Sequence, residues 1–313
     1  MRKKIIVIQK EEPSKRLDKF LQREIFCNEK ISRADIIREI KSGKILVNGK
    51  IVKPSYVLKE SDELNVVKGE REKEAGLFPN SKIKIKVLED NANFLVIDKP
   101  AGIQVHPDAH EKENTIANWL LANYPKIKDV HDGSRDAQLR PGIVHRLDKD
   151  TSGLMVIAKN QKTFNTLKKL FQDRKVKKTY LAIVHGILKE KTGTIETEIA
   201  KSADYKRQTI ATVRTRTKAR SAFTGYSVLK EFKDYSLVEA YLKTGRTHQI
   251  RIHLWSIGHP VVGDQLYKRK AKSNLAGRQM LHAEKLSFML GSKAYSFRSN
   301  PPADFKNFIK LAK

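Results

Sequence analysis

The sequence predicts an α+β fold in two units, and three observations carry that expectation. Strand-like and helix-like runs mix along the chain, separated by long polar loops. The 313 residues exceed what one hydrophobic core usually organises. A charged stretch between about Lys68 and Ser81, containing Glu70-Arg71-Glu72-Lys73-Glu74, reads as a linker. The expected units are therefore residues 1–68 and 82–313, joined by 69–81.

In the first unit a helix is expected over Arg16 to Arg23, where Leu17, Phe20 and Leu21 share a face. Ser32 is a candidate N-cap with Asp35 behind it, a weaker relative of the capping box. Ile36, Ile37 and Ile40 then recur at helical spacing, and Gly43 reads as the C-cap. Ile45-Leu46-Val47 and Ile51-Val52 flank Asn48-Gly49. Both turn residues accept positive φ, so a hairpin is predicted, closing the unit at Asp62-Glu63-Leu64.

In the second unit Ile83 to Leu88 and Phe94 to Ile97 read as strands, and Pro100 with Gly102 forces a turn. Leu154-Met155-Val156-Ile157-Ala158 is an unbroken apolar run, the pattern of a buried strand. Phe164, Leu167, Leu170 and Phe171 form a helical stripe. Strand-like runs return at Lys178 to Val184, Phe223 to Leu229 and Leu237 to Leu242, followed by a helix over Thr247 to Ser256. No internal repeat is evident.

The formal charge is +28, from 63 Lys and Arg against 35 Asp and Glu. So large an excess repels itself unless a polyanion neutralises it, and nucleic acid is the first candidate. A membrane surface is the competing one, but no apolar run is long enough to span a bilayer. Met1 to Ile8 has a basic start and too short an apolar run for a signal sequence. The single cysteine, Cys27, excludes an intrachain disulfide or a cysteine cluster for zinc. A cytoplasmic location is expected.

The stretch from Gly142 to Gly153 places Asp148 two residues after Arg146, in a polar turn closed by Thr151, Ser152 and Gly153. A short acidic loop mounted on a buried strand fixes where a carboxylate points. Asp150 invites a paired-carboxylate glycosidase, but nothing else in the chain supports it. His248, His253 and His259 are spaced by five and six residues, which does not align them as metal ligands on one helical face. No metal is expected.

The string His145-Arg146-Leu147-Asp148, then Asp150-Thr151-Ser152-Gly153, resembles the signature of the RluA-type pseudouridine synthases, enzymes that isomerise uridine in structured RNA. Further blocks come in family order: Asp98 to Gly102 with Val105-His106-Pro107, Lys178 to Ala182, Leu242 to Arg251, Pro260 to Asp264, and Arg278 to Ala283. The resemblance implies a central, largely antiparallel mixed sheet flanked by helices and loops, with RNA lying across it. It makes Asp148 the reacting aspartate, as nucleophile or base, and Arg246 the arginine paired with it. Tyr180, by pattern alone a core strand residue, becomes the aromatic support of the target base and a candidate to help remove the C5 proton. Arg146 either enters the space left by the flipped base or contacts phosphate. No cofactor or nucleotide is implied, since the isomerisation needs neither redox step nor energy source. Departures at Asp108 and Ala109, and from His131 to Arg140, bear on substrate choice.

The first unit resembles the S-four-type RNA-binding domain, in which the second helix and hairpin present basic groups to folded RNA. That would assign Arg33, Arg38, Lys41, Lys44 and Lys53 to RNA, against the alternative of an ordinary solvated face. The domain also occurs in certain tRNA synthetases, but neither His-Ile-Gly-His nor Lys-Met-Ser-Lys-Ser is present. Lys201 to Arg220 holds seven basic residues, Lys206 and Arg207 among them, and Lys268-Arg269-Lys270 with Lys272 forms a second cluster. Both would track phosphates. The expected function is isomerisation of uridines in RNA, most directly large-subunit ribosomal RNA, by a monomer acting in ribosome biogenesis. The alternatives are a tRNA enzyme and a non-catalytic ribosome-assembly factor on the same fold.

Overall fold

The structure is a computed structural model and describes residues 2–9, 15–27, 31, 33–68, 76–134, 136–202, 207–268 and 276–312. The chain forms two compact units, Met1–Gly76 and Leu77–Lys313. Residues 69–75 of the expected linker lie outside the described residues, as does Ser32. The part of that stretch after Gly76 is fixed: Asn118 Nδ2 donates to Phe78 O at 2.7 Å, and Asn80 N to Asn118 O at 3.0 Å.

In the first unit β1 (Arg2–Val7), β2 (Ile45–Val47) and β3 (Glu63–Lys68) form an antiparallel sheet in the order β1-β3-β2. The basic start of the chain is thus a strand, paired along its length with β3. Helix α1 (Leu17–Phe20) runs on as a π-type turn over Leu21–Ile25, and α2 spans Arg33–Lys41. Leu17, Phe20, Leu21, Ile36 and Ile40 are buried against Ile45, Leu64 and Val66. Gly43, at φ 78°, ends α2 as its cap.

The hairpin expectation needs correction. Asn48 and Gly49 do adopt positive φ, and Val47 and Lys50 exchange both backbone bonds. The chain then leaves the ladder, and Val47 pairs with Leu64 of β3 instead. Two causes are visible. Pro54 has no N–H for a ladder. The Asn48 side chain ties the turn to β3, donating to Asp62 Oδ1 and accepting from Glu63 N, each at 2.8 Å.

The second unit is built on a ten-stranded sheet. Its strands are β4 (Lys86–Asp90), β5 (Phe94–Lys99), β6 (Ser152–Ala158), β7 (Lys177–His185), β8 (Thr192–Lys201), β9 (Gln208–Ile210), β10 (Arg220–Glu231), β11 (Tyr235–Leu242), β12 (Leu281–Leu290) and β13 (Lys293–Arg298). The order is β4-β5-β6-β12-β7-β11-β10-β8-β9, with β13 branching from β12. Every neighbouring pair is antiparallel except β6 and β12, which run parallel through Ser152–His282 and Gly153–Ala283. Helices α3 (Ile116–Asn123), α4 (Gln161–Gln172), α5 (Gln249–Ser256) and α6 (Ala303–Leu311) complete the unit. All of β6 is buried, as its apolar run predicts.

The six strands read from apolar runs are present; five have wider bounds, while β4 begins at Lys86 rather than Ile83 and runs on to Asp90. β8, β9, β12 and β13 carried no such run: β8, Thr192 to Lys201, interleaves Ile195 and Ile199 with Thr and Glu. Helix α5 starts at Gln249 rather than Thr247, because His248 sits in the left-handed region at φ 57°.

Candidate active site

Asp148 stands in the turn that leads into β6, and buried polar contacts fix that turn from behind. Lys99, at the end of β5, is fully buried and donates from Nζ to Pro100 O, Ile103 O and Lys149 O, each at 2.8 Å. Gly102 N also donates to Lys149 O, at 3.0 Å. Arg278 Nη1 reaches Asp150 O at 3.1 Å, and Gln279 Nε2 reaches Thr151 Oγ1 at 2.6 Å. Burial pushes the Lys99 ammonium down to about 7, against the opposing charges of Asp150 and Asp148. Gly153 follows at φ 115°, where a Cβ would fall 2.3 Å from Ala283 O. Only glycine allows β6 and β12 to approach there.

The carboxylate is paired, but not with the arginine expected. Arg251 Nη1 donates to Asp148 Oδ2 at 2.8 Å, while its Nε and Nη2 bind the buried Asp264 at 2.6 and 2.9 Å. Burial disfavours the Arg251 guanidinium, yet its bonds to Asp264 and Asp148 raise its pKa overall. Arg246 instead donates from Nε to Ser221 O at 3.1 Å, and its backbone N–H caps onto Gln249 Oε1 at 2.9 Å. The correction has a helical reason. Arg246 precedes the left-handed residue His248 and stays on the loop, whereas Arg251 lies inside α5 on the face toward Asp264. His248 Nε2 lies 4.0 Å from Asp148 Oδ2, and its Nδ1 lies 3.1 Å from Tyr267 Oη.

A cavity of about 570 Å³ opens over Asp148, lined by His145, Arg146, Lys168, Phe171, Arg174, Lys178, Tyr180, Lys243, Arg246, His248 and Arg251 among others. Asp148, Tyr180 and Arg246 therefore share one cavity, although Arg246 is not the ion partner. Burial, and then the Asp148 charge, raises the Tyr180 phenol, keeping it protonated at neutral pH. His145 stacks on Phe171 with centroids 4.5 Å apart, and its Nε2 accepts from Val156 N at 3.0 Å. Burial and the Lys178 charge push it to about 3, so it stays neutral. Arg146 is exposed at the rim, its Nη1 3.1 Å from His106 Nε2.

The other basic residues divide by place. Lys206, Arg269, Lys270 and Lys272 lie outside the described residues. Arg207 and Lys268 are exposed and flank a contact in which Tyr267 Oη bonds the Gln208 backbone, so their two loops meet beside α5. Within the first unit Arg33 is partly committed, clasping the buried Asp18 at 2.6 Å. Lys44 pairs with Glu39 at 3.6 Å. His253 is buried against Thr197 Oγ1, and His259 bonds His185 O.

Arg251, Lys99 and Arg278 were missed as site residues. Each lies in one of the family-like blocks of the sequence, but only Asp264 in a neighbouring block hinted that Arg251 had a buried counter-ion.

A family model described as RNA pseudouridylate synthase matches residues 93–256, and one for the S4 domain matches 15–64. An uncharacterized RNA pseudouridine synthase of Aquifex aeolicus is 38% identical, over 97% of this chain and 95% of its own. The ribosomal large subunit pseudouridine synthase D of Borreliella burgdorferi is 34% identical, over 94% and 88%. The solved structure of human RNA pseudouridylate synthase domain containing 1 has a TM-score of 0.59 at 25% identity, covering 72% of this chain and 86% of that one. The chain thus belongs to the RNA pseudouridylate synthase family, as an enzyme that isomerises uridine in RNA and carries an N-terminal S4 domain.

Proposed function

We propose that this enzyme modifies uridines of large-subunit ribosomal RNA, in the cytoplasm and during ribosome assembly, with Asp148 as its reacting carboxylate. The observation that carries the site is the single carboxylate, held in an ion pair by Arg251, at the floor of a cavity otherwise rimmed by cations. Cations at the rim suit phosphates, and an aromatic wall suits an unstacked base. In this reading Tyr180 supplies that wall, and Arg146, exposed at the rim, enters the stack that the uridine vacates. The RNA class rests on the name of the Borreliella relative and on the pairing with an S4 domain.

Arg251 aims the Asp148 carboxylate, holding Oδ2 through a bidentate-capable guanidinium that is itself fixed by Asp264. The carboxylate reacts at C1′ of the target while the uracil turns against Tyr180. Arg246 and the exposed basic loops hold the backbone. Asp148→Asn preserves shape and removes the reacting group. It should abolish tritium release from C5-labelled uridine in RNA while RNA affinity stays within about threefold; activity above about a tenth of wild type would overturn the role of Asp148. Mapping pseudouridines in total RNA with and without the protein tests the substrate, since sites lost from tRNA alone would refute the ribosomal assignment.

A further inference from the structure

We infer that Lys178 is a further catalytic residue, whose ammonium holds the uracil carbonyl oxygen that gains negative charge as the base leaves the ribose. The inference rests on the isomerase site described above. Lys178 stands two residues before Tyr180 on β7, so strand alternation puts both on the face that opens into the cavity. Its Nζ lies against Gly245, where a Cβ would come within 3.3 Å, and 5.7 Å from the centre of the Phe171 ring. The glycine leaves room for the cation.

Apart from Arg174, which is exposed rather than desolvated, the other cations of the cavity wall are occupied. Arg146 bonds His106, Lys168 bonds Asp132, Arg246 bonds Ser221 O, Arg251 bonds two aspartates, and Lys243 sits over the Phe223 ring. Half-buried Lys178 has neither a carboxylate nor a hydrogen-bond acceptor among the described residues. A desolvated charge without a partner is costly, and a ligand oxygen would supply what the protein withholds. Burial alone pushes its pKa down to about 8.

The chemistry supplies such an oxygen. When the N1–C1′ bond breaks, its electron pair stays on the uracil and spreads over N1 and the carbonyl oxygens. C1′ is left electron-poor beside the Asp148 carboxylate. C5 then uses that electron density to bond C1′, the C5 proton leaves, N1 takes up a proton, and the product is an isomer. Lys178 donates a hydrogen bond throughout and transfers no proton. A fixed cation facing charge that exists only after bond breaking lowers the barrier, whereas a phosphate contact is already made in the ground state.

The test uses the full chain and C5-tritiated large-subunit rRNA transcript, comparing wild type, Lys178→Met and Lys178→Arg. Lys178→Met should lower the single-turnover rate at saturating RNA about a hundredfold, the scale of losing one such donor, with Kd for the transcript within about threefold of wild type. The wild-type rate should fall as pH rises through about 8. Lys178→Arg, charged beyond pH 12, should keep much of the rate and move that limb upward. His145, Asp148, Lys168, Arg174, Tyr180, Lys243, Arg246, His248 and Arg251 also face the cavity, and Lys99 lies beneath the loop. Only the limb that moves with arginine is therefore assigned to Lys178. A weakened Kd with an unchanged rate identifies a phosphate contact and overturns the inference, as does an unmoved limb in Lys178→Arg. If Lys178→Met fails to fold, the arginine profile decides. Wild type that releases no tritium refutes the proposed function itself, a separate failure.

Discussion

Arg251 bridges a half-buried and a fully enclosed carboxylate, and the two losses should separate on substitution. Arg251→Met leaves Asp264 enclosed without its counter-charge, and breaking such a pair costs about 3–5 kcal/mol. Urea unfolding should show that loss, whereas Arg246→Met, which gives up one bond to a backbone carbonyl, should cost under about 1 kcal/mol. Equal costs would contradict the geometry. Lys99 gives a pH dependence whose sign is fixed. Its folded pKa, about 7, lies below the unfolded value near 10.4, so the unfolded chain binds more protons between them. The cost of enclosing the ammonium is full below pH 7 and fades toward pH 10, so stability gains from this group as pH rises. Unfolding free energies at pH 7 and 9 should show that gain in wild type and a flatter slope in Lys99→Met. Asp148 and Tyr180 were legible in the sequence as candidates because their motifs are local, and both line the cavity. The Arg251–Asp148 pair was not, since which of two arginines in one block reaches the carboxylate depends on where α5 begins.

At the scale of elements, apolar runs revealed most directly the continuously buried strands β5, β6 and the centre of β7, and β6 is the clearest. Strands whose outer face is polar hid, because Thr and Glu interrupt the run without leaving the sheet, as in β8. The Asn48-Gly49 turn was legible, but its strand partner was not: the turn fixes two residues, while Pro54 and the Asn48 side chain decide where the chain goes next. The β6–β12 junction offers a direct trial. Gly153→Ala forces a Cβ onto the Ala283 backbone at positive φ, which should cost about 3 kcal/mol or more. Gly102→Ala, also at positive φ but facing open space, should cost only about 1 kcal/mol. Comparable melting losses for the two would show that close approach is not the reason for glycine at the junction.

At the scale of the whole molecule, RNA capture should follow the net charge and the division into two units. With roughly six to ten phosphate contacts, affinity should drop about a thousandfold or more between 50 and 200 mM salt. A flat dependence would reduce the basic loops to solvated surface. A fragment beginning at Leu77 retains the Phe78 and Asn80 contacts to α3 that a cut at Lys82 would remove. It should bind long structured RNA more weakly, because tethered modules raise each other's effective concentration. Its single-turnover rate should stay within about tenfold of the intact chain. Collapse of that rate in a folded fragment would mean that the first unit helps build the site.

The hold on the Asp148 turn also sets an order of events during synthesis. The turn is gripped by Arg251, Arg278 and His282, which come 103, 128 and 130 residues after their partners. At roughly 5–20 residues per second, the carboxylate waits on the order of 5–25 s for those partners to be translated. The first unit encloses its own core and is complete long before then. A growing chain should therefore gain its grip on RNA well before it can isomerise anything, and chains stalled ahead of Arg251 should bind RNA yet release no tritium.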